Sequence, residues 1–181
     1  MATKAELANA RTDAGLEPRG GRIGVAFDWG FGVQLASMGL AALAGLPISG
    51  TSVPRLAGVA GLGMAAAAIA QGEALRRGYG WAWWLQLLGN GALTVIGLAG
   101  LPASLQLIQQ GRVGMLSPLI LMVIVSPIEC WLLLQPGSRR WYGHVDPKAA
   151  RARHSGAWMP GTLAWAIGCG LIQAAVSLFE L

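Results

Sequence analysis

One uncharged stretch decides the fold of this chain: it runs from Trp81 to Leu107 and reads WAWWLQLLGNGALTVIGLAGLPASLQL. A helix needs about 20 apolar residues to cross the ~30 Å hydrocarbon core of a bilayer. This run exceeds that length, so we expect it to cross a membrane and either to tilt or to break at Pro102.

Four further apolar runs flank this stretch, at about residues 23–46, 54–75, 115–134 and 158–179. The run at 54–75 is the weakest of them, because alanine and glycine give little transfer energy. The hydrophobic fraction of the chain is 54% and the charged fraction is 12%, about half the charged share of soluble domains. We therefore predict an all-α, polytopic transmembrane bundle of five helices, with residues 23–181 as one membrane domain.

The basic residues predict the orientation of this bundle. Of the 13 Lys and Arg residues, eleven lie in the N-terminal segment and in the connections between helices 2 and 3 and between helices 4 and 5. The alternate connections hold only Arg55 and Arg112. By the positive-inside rule the N-terminus is cytoplasmic and the C-terminus lies outside. We expect a multi-pass protein of the plasma (inner) membrane whose basic loops contact anionic lipids, and no nucleic-acid partner despite the net charge of +5.

The N-terminus permits a second interpretation. Residues 1–22 are expected to form a mobile cytoplasmic segment, yet residues 1–44 also combine a basic leader, an apolar run and small residues, as a signal peptide does. Cleavage would leave four helices. The long polar leader and the full transmembrane length of a run that carries Asp28 favour a membrane span.

The residues 135–157 form the only sizeable polar connection in the sequence. Asp146 followed by Pro147 predicts a helix start there, and we expect a surface helix at about 147–154 on anionic head groups. Tryptophans and one tyrosine near the ends of the runs are expected to anchor at the membrane interfaces, namely Trp81, Trp83, Trp84, Trp131, Trp141, Tyr142 and Trp158.

Three acids, Asp28, Glu73 and Glu129, fall inside predicted spans near their cytoplasmic ends. Charged groups are expensive in hydrocarbon, so such residues are candidates for function. We therefore predict a polar, cytoplasm-facing pocket from Asp28, Glu73, Arg76, Arg77, Asn90 and Glu129. The alternative is that each acid reaches the interface or pairs with a nearby arginine, and that the Asn90 amide bonds to a neighbouring helix.

Several kinds of chemistry have no signature in this sequence. There is no HExxH, GxSxG or P-loop motif. His144 and His154 lie in one predicted loop, so histidine-ligated haem within the membrane is not expected, and Cys130 and Cys169 lack metal-ligand spacing. No catalytic residue, metal site or cofactor is predicted, although a lipid, quinone or carotenoid between helices would leave no sequence mark.

Three functions are compatible with this frame. The first is a non-catalytic accessory or assembly subunit of a larger membrane complex, suggested by short loops and small-residue faces such as Gly61 and Ala65, or Ala164 and Gly168. The second is a small transporter or channel-like protein that uses the polar pocket. The third is a membrane enzyme that acts on lipid head groups.

Overall fold

The computed structural model describes residues 18–179, and the expectation for the N-terminal segment falls mostly outside this range. Within it the chain is helical, and its single extended feature is an isolated bridge between Ile48 and Thr51. The helices are α1 (Gly21–Leu43), α2 (Arg55–Arg76), α3 (Gly80–Gln109), α4 (Leu116–Leu133), α5 (Pro136–His144), α6 (Pro147–Arg153) and α7 (Trp158–Phe179).

Four of these helices, α2, α3, α4 and α7, are long and apolar enough to cross a membrane. Helix α1 has comparable length, with 23 residues, but it is not among the four. Asp28 and Gln34 lower the hydropathy of its middle. Its membrane crossing, like the orientation of the termini, stays a prediction.

The helix boundaries lie close to those predicted from the sequence. Helix α3 continues through Pro102 without a break, so of the two expectations for this stretch the break is wrong. Helix α4 contains a π-helical segment at Leu121–Val125, directly before Ser126 and Pro127. Proline lacks the amide hydrogen that an α-helical turn requires, and the wider turn before it is one way in which a helix absorbs that loss.

Helix α1 lies at the centre of the bundle between α2 and α7. Glycines allow this close packing on two of its faces. A Cβ at Gly39 would lie 2.9 Å from the carbonyl oxygen of Gly58 on α2, and the carbonyl of Gly30 lies against Gly170 on α7. Small side chains at these points let the backbones approach, which is the usual basis of tight helix pairs in membranes.

Helices α3 and α4 form a second layer beside this central row. The Ser126–Leu133 part of α4 packs on both α1 and α3, whereas the preceding part packs mainly on α3. The two layers therefore meet at the end of the bundle that carries Arg76, α5 and α6, named here the basic end. They separate toward the opposite end, and a cleft lies between them.

The basic end is closed by α5 and α6. Helix α6 was predicted, and Asp146 caps it as expected by accepting from the backbone amide of Ala149 at 3.2 Å. Helix α5 was not predicted, although Pro136 occupies the helical N-terminal position that proline favours. The Ser138 hydroxyl donates to the carbonyl of Leu132 at 3.0 Å, which holds α5 against the end of α4.

The aromatic side chains divide between this cap and the exterior. Trp81, Trp84 and Trp131 are exposed, and their anchoring at the membrane interfaces stays a prediction. Trp83, Trp141 and Tyr142 are buried instead, so their assignment to the interface is wrong. The indole of Trp83 donates to the carbonyl of Leu133 at 3.0 Å and its ring stacks on Tyr142, which fixes α3, α4 and α5 together.

Candidate functional site

The cleft between the two layers has a volume of about 1080 Å³ and is lined mainly by α1, α3, α4 and α7, with Gln71 of α2 at one end. Its walls are largely apolar, and polar groups occur at both ends. Asp28, Gln71 and Gln86 lie at the basic end, and Arg112 and Ser177 lie at the other. The wall of α7 extends from Trp165 to Ser177, which corresponds to roughly 18 Å of helix.

A second hollow of about 540 Å³ adjoins the cleft between α4 and α7. The two cavities share seven lining residues, among them Phe27, Ser117 and Leu121. Within residues 18–179, α4 and α7 make no extended contact with each other. The cleft therefore has a side on which it is not closed by helix packing.

Asp28, Gln71 and Gln86 line the closed end of the cleft. Glu129 and Tyr142 are buried behind them, and the five side chains together are named here the polar floor. Gln86 is buried, and with its amide nitrogen turned toward Asp28 it donates to both carboxylate oxygens at 3.0 and 3.1 Å. Gln71 donates to the carbonyl of Ala82 at 2.8 Å, which leaves its own oxygen without a partner. The floor thus joins α1, α2 and α3.

Glu129 is the most deeply buried acid of the described residues, with 2% of its surface exposed. Neither of its carboxylate oxygens has a hydrogen-bond partner there. Its Oε1 atom lies 2.8 Å from the position that a Cβ would take at Gly24, and the Gln86 amide lies 3.4 Å from the same position. The missing side chain at Gly24 thus allows α1, α3 and α4 to bring their polar groups together.

Tyr142 completes the floor from α5. It is 5% exposed, and its hydroxyl has no hydrogen-bond partner within residues 18–179. This hydroxyl lies 2.8 Å from the Cβ position of Gly21, and the Cβ position of the adjacent Gly20 lies 3.2 Å from Glu129 Oε2. Burial raises the pKa of Tyr142 above its ordinary value, and the nearby Glu129 and Asp28 raise this pKa further. The phenol is therefore neutral and available as a donor.

Glu73, Arg76 and Arg77 lie apart from the floor and pair with one another. Arg76 donates through Nε and Nη2 to the two oxygens of Glu73 at 2.6 and 2.8 Å, and Arg77 Nε donates to Glu73 Oε1 at 2.7 Å. The same carboxylate raises the pKa of Arg77. Glu73 therefore pairs with nearby arginines, which was the alternative to its membership of a pocket.

Arg76 also fastens the cap to the bundle. Its Nη1 donates to the carbonyl of His154 at 2.7 Å, and the His154 ring lies 2.9 Å from the carbonyl of Arg76. The imidazole is buried and stacks between Trp141 and Trp158. These contacts give the Glu73–Arg76 pair a structural role at the basic end.

Asn90 lines the cleft one helical turn above Gln86. Its side-chain amide donates to the carbonyl of Gln86 at 3.0 Å, within α3 rather than to a neighbouring helix. Of the six residues predicted for the pocket, the structure brings Asp28 and Glu129 together, places Asn90 nearby, and sets Glu73, Arg76 and Arg77 apart.

Sequence reasoning missed Gln71, Gln86 and Tyr142 as members of the floor. Gln71 lies two residues before Glu73, and Gln86 lies one helical turn before Asn90, so both were visible as polar residues inside apolar runs. Tyr142 carried no such signal, because it lies in a connection whose fold back onto the bundle depends on α5.

Comparisons of the chain with protein family models, characterised proteins and solved structures found no match.

Proposed function

We propose that this chain is a multi-pass protein of the plasma membrane that binds a small amphiphilic molecule in the cleft and acts as a small transporter or channel-like protein. The proposal includes five membrane crossings, with the N-terminus in the cytoplasm. The observation that carries it is the cleft of about 1080 Å³, which has apolar walls and a polar floor. Ligand sites commonly enclose several hundred to about 1000 Å³ and combine apolar walls with a few polar groups.

The open side between α4 and α7 supports the same proposal. A molecule dissolved in the bilayer could enter there, and the polar end of that molecule would meet Asp28 and Gln86. With the proposed orientation, the floor lies toward the cytoplasm and the wider end lies toward the outside.

The two cysteines of the chain provide a direct test of ligand binding. Cys169 lines the cleft, whereas Cys130 lies between α3 and α4 with its thiol 3.7 Å from the carbonyl of Leu87. In a Cys130→Ala variant in nanodiscs, the reaction of Cys169 with N-ethylmaleimide should slow at least threefold when a cleft ligand is bound. The probes are tetraphenylphosphonium and tetraphenylborate, which share a size and carry opposite charges.

Two matched glycine variants control for effects outside the cleft. Gly89 lines the cleft and Gly63 lies on the exposed face of α2, and neither has an atom within 4 Å of its Cβ position. Gly89→Trp should fill the cleft and abolish the protection of Cys169, and Gly63→Trp should preserve it. If neither probe protects Cys169 in the parent protein, the proposed function is wrong.

A second candidate, the accessory or assembly subunit, is favoured by the exposed face of α2. Ala60, Gly63, Ala67 and Ala70 are exposed along this face, and small residues let a partner helix approach closely. Extraction in mild detergent should then recover the chain with a stoichiometric partner that Gly63→Trp releases. A chain that is always alone and monodisperse would contradict this candidate.

A further inference from the structure

We propose that the cleft binds lipophilic cations and that each bound cation displaces one proton from the Asp28–Glu129 pair. This inference rests on the proposed function, because it names the chemical class of the ligand for the same cleft. Asp28 lines the cleft and Glu129 lies behind the cleft wall near Gly24 and Gln86, so both acids act on the same end of the cavity.

The floor has an excess of acidic and acceptor groups. Gln71 contributes an unpartnered carbonyl oxygen from α2, Gln86 an amide from α3, and Tyr142 a neutral hydroxyl from α5. The ion pairs within residues 18–179 involve Glu73 and neither Asp28 nor Glu129. The floor therefore has two carboxyl groups and no cationic side chain bonded to either.

An unpaired carboxylate is strongly disfavoured in a low-dielectric interior, and two neighbouring carboxylates repel each other as well. Each of the two carboxyl groups therefore holds a proton in the ligand-free protein, and the pair is neutral. With its nitrogen toward Asp28, Gln86 turns its carbonyl oxygen toward Gly24, where Glu129 Oε1 also lies. That oxygen can accept a hydrogen bond from a protonated Glu129, and the Tyr142 hydroxyl can donate to the pair.

The walls above the floor suit an organic cation better than a hydrated metal ion. Phe27, Phe31 and Trp165 line the cleft near Asp28, and the rings of Phe27 and Trp165 meet edge to face at 5.0 Å. Aromatic faces attract desolvated cations. The described residues contain no cluster of three or more His, Cys, Asp or Glu side chains that could hold a metal ion.

The charge balance of binding is simple. The cation enters, one proton leaves the Asp28–Glu129 pair for water, and the ionised carboxylate becomes the counter-charge of the cation. The guanidinium of Arg112 lies at the opposite end of the cleft, where it is exposed to solvent. Because Arg112 is at the other end from the floor, the two acids determine the sign of the charge on the ligand.

The experiment measures equilibrium binding of tetraphenylphosphonium to the full chain in phosphatidylcholine nanodiscs between pH 5.5 and 8.5, with empty nanodiscs subtracted. Because binding displaces one proton, it should strengthen as the pH rises, by up to tenfold for each pH unit. This holds over the pH range in which the pair is protonated before binding. In weakly buffered solution, up to one proton should be released for each cation bound. Tetraphenylborate should bind at least tenfold more weakly at pH 8.5.

Two variants assign the effect to the floor. Asp28→Asn should weaken tetraphenylphosphonium binding at least tenfold and remove the proton release. Asp146→Asn changes an acid that caps α6 outside the cleft, where asparagine also caps a helix, and should bind like the parent.

The outcomes separate this inference from the function on which it rests. Binding of both probes that is independent of pH, with no proton release, would overturn the inference and leave the ligand-binding cleft intact. If neither probe protects Cys169, both the inference and the proposed function are wrong. If Asp28→Asn is not monodisperse, the pH dependence, the proton release and the charge preference of the parent protein decide the matter.

Discussion

Gly24 shows how one absent side chain organises the floor. A Cβ there would lie 2.8 Å from both Glu129 Oε1 and Leu75 Cδ2. We predict that Gly24→Ala lowers the free energy of unfolding by about 1–3 kcal/mol, since a methyl group in a filled space forces its neighbours apart. Thermal unfolding in detergent measures this. Gly63→Ala, on an open helix face, is the control, and an equal loss of stability in both variants would contradict the prediction.

Tyr142 gives a prediction about alkaline pH. Burial and two nearby acids raise its pKa in the folded protein, whereas an unfolded tyrosine titrates near pH 10. The unfolded chain therefore releases this proton first, and the stabilisation that is present below about pH 10 is lost as the pH rises further. Unfolding midpoints between pH 8 and 11 should fall in the parent protein and fall less in Tyr142→Phe. The half-exposed Tyr79 supplies the control Tyr79→Phe, which should behave like the parent.

At the scale of residues, the sequence identified the side chains that are costly to place in a membrane. It did not identify which of them are neighbours in the fold. Asp28 and Glu129 stand out because charge is rare in apolar runs. Glu73 stands out for the same reason, yet it is satisfied by Arg76 three residues away. Gln86 lacks a charge and was not assigned to the pocket, although its amide is what reaches Asp28 from another helix. Which polar groups share a site depends on helix rotation, and composition does not specify that rotation.

At the scale of elements, helix α7 illustrates how a spacing pattern can point to the wrong face. The sequence suggested Ala164 and Gly168, but Ala164 is exposed. The contact with α1 uses Ala166 and Gly170, and Ala174, four residues further along the same face, is buried. Both sets have the four-residue spacing of a helix face. In a segment so rich in alanine and glycine, the pattern occurs on more than one side, so only packing identifies the contact.

This difference makes a paired prediction for α7. Gly170→Leu should separate α7 from α1, because Gly170 lies against the carbonyl of Gly30 and its Cβ position is 2.8 Å from Val33. We expect a large loss of folded, monodisperse protein on size-exclusion chromatography. Gly168→Leu points into open space and should leave the elution profile unchanged. If both leucine variants elute like the parent protein, α7 packs against α1 in another register.

The tryptophan pair at the start of α3 tests the cap in the same way. Trp83 is buried and donates to Leu133, whereas its neighbour Trp84 is 54% exposed. Trp83→Phe loses this hydrogen bond and should lower the free energy of unfolding by about 1–2 kcal/mol, because the Leu133 carbonyl remains buried. Trp84→Phe should change it by less than about 0.5 kcal/mol. Denaturant unfolding of both variants measures the difference, and a larger effect at Trp84 would contradict the burial of Trp83.

At the scale of the whole molecule, the apolar helices α2, α3, α4 and α7 were predictable from the sequence, whereas their arrangement in two layers was not. Length and hydropathy locate segments such as α3 and α4, because lipid requires both in every span. The cleft arises from where the layers separate. That separation depends on the contact of the Ser126–Leu133 part of α4 with α1, a meeting of segments about a hundred residues apart. Local patterns carry no information about such a contact.

The membrane crossing of α1 decides whether the wide end of the cleft faces the outside. Three single cysteines test it in a Cys130→Ala, Cys169→Ala background: Thr3→Cys before α1, Ser52→Cys between α1 and α2, and Lys148→Cys on α6. Five crossings with the N-terminus inside place only Ser52 outside. In intact cells, an impermeant maleimide should therefore label Ser52→Cys and should label the other two variants only after permeabilisation.

The pattern of labelling distinguishes the alternatives. Labelling of Thr3→Cys in intact cells, together with Ser52→Cys, would mean that α1 lies along one side of the membrane. Loss of the N-terminal segment from the mature chain would mean cleavage as a signal peptide. In either case Asp28, which α1 contributes to the floor, would no longer be held by a helix that spans the bilayer, and the proposed cleft would lose its central wall. The orientation of α1 is thus the condition on which the whole assembly of cleft and floor depends.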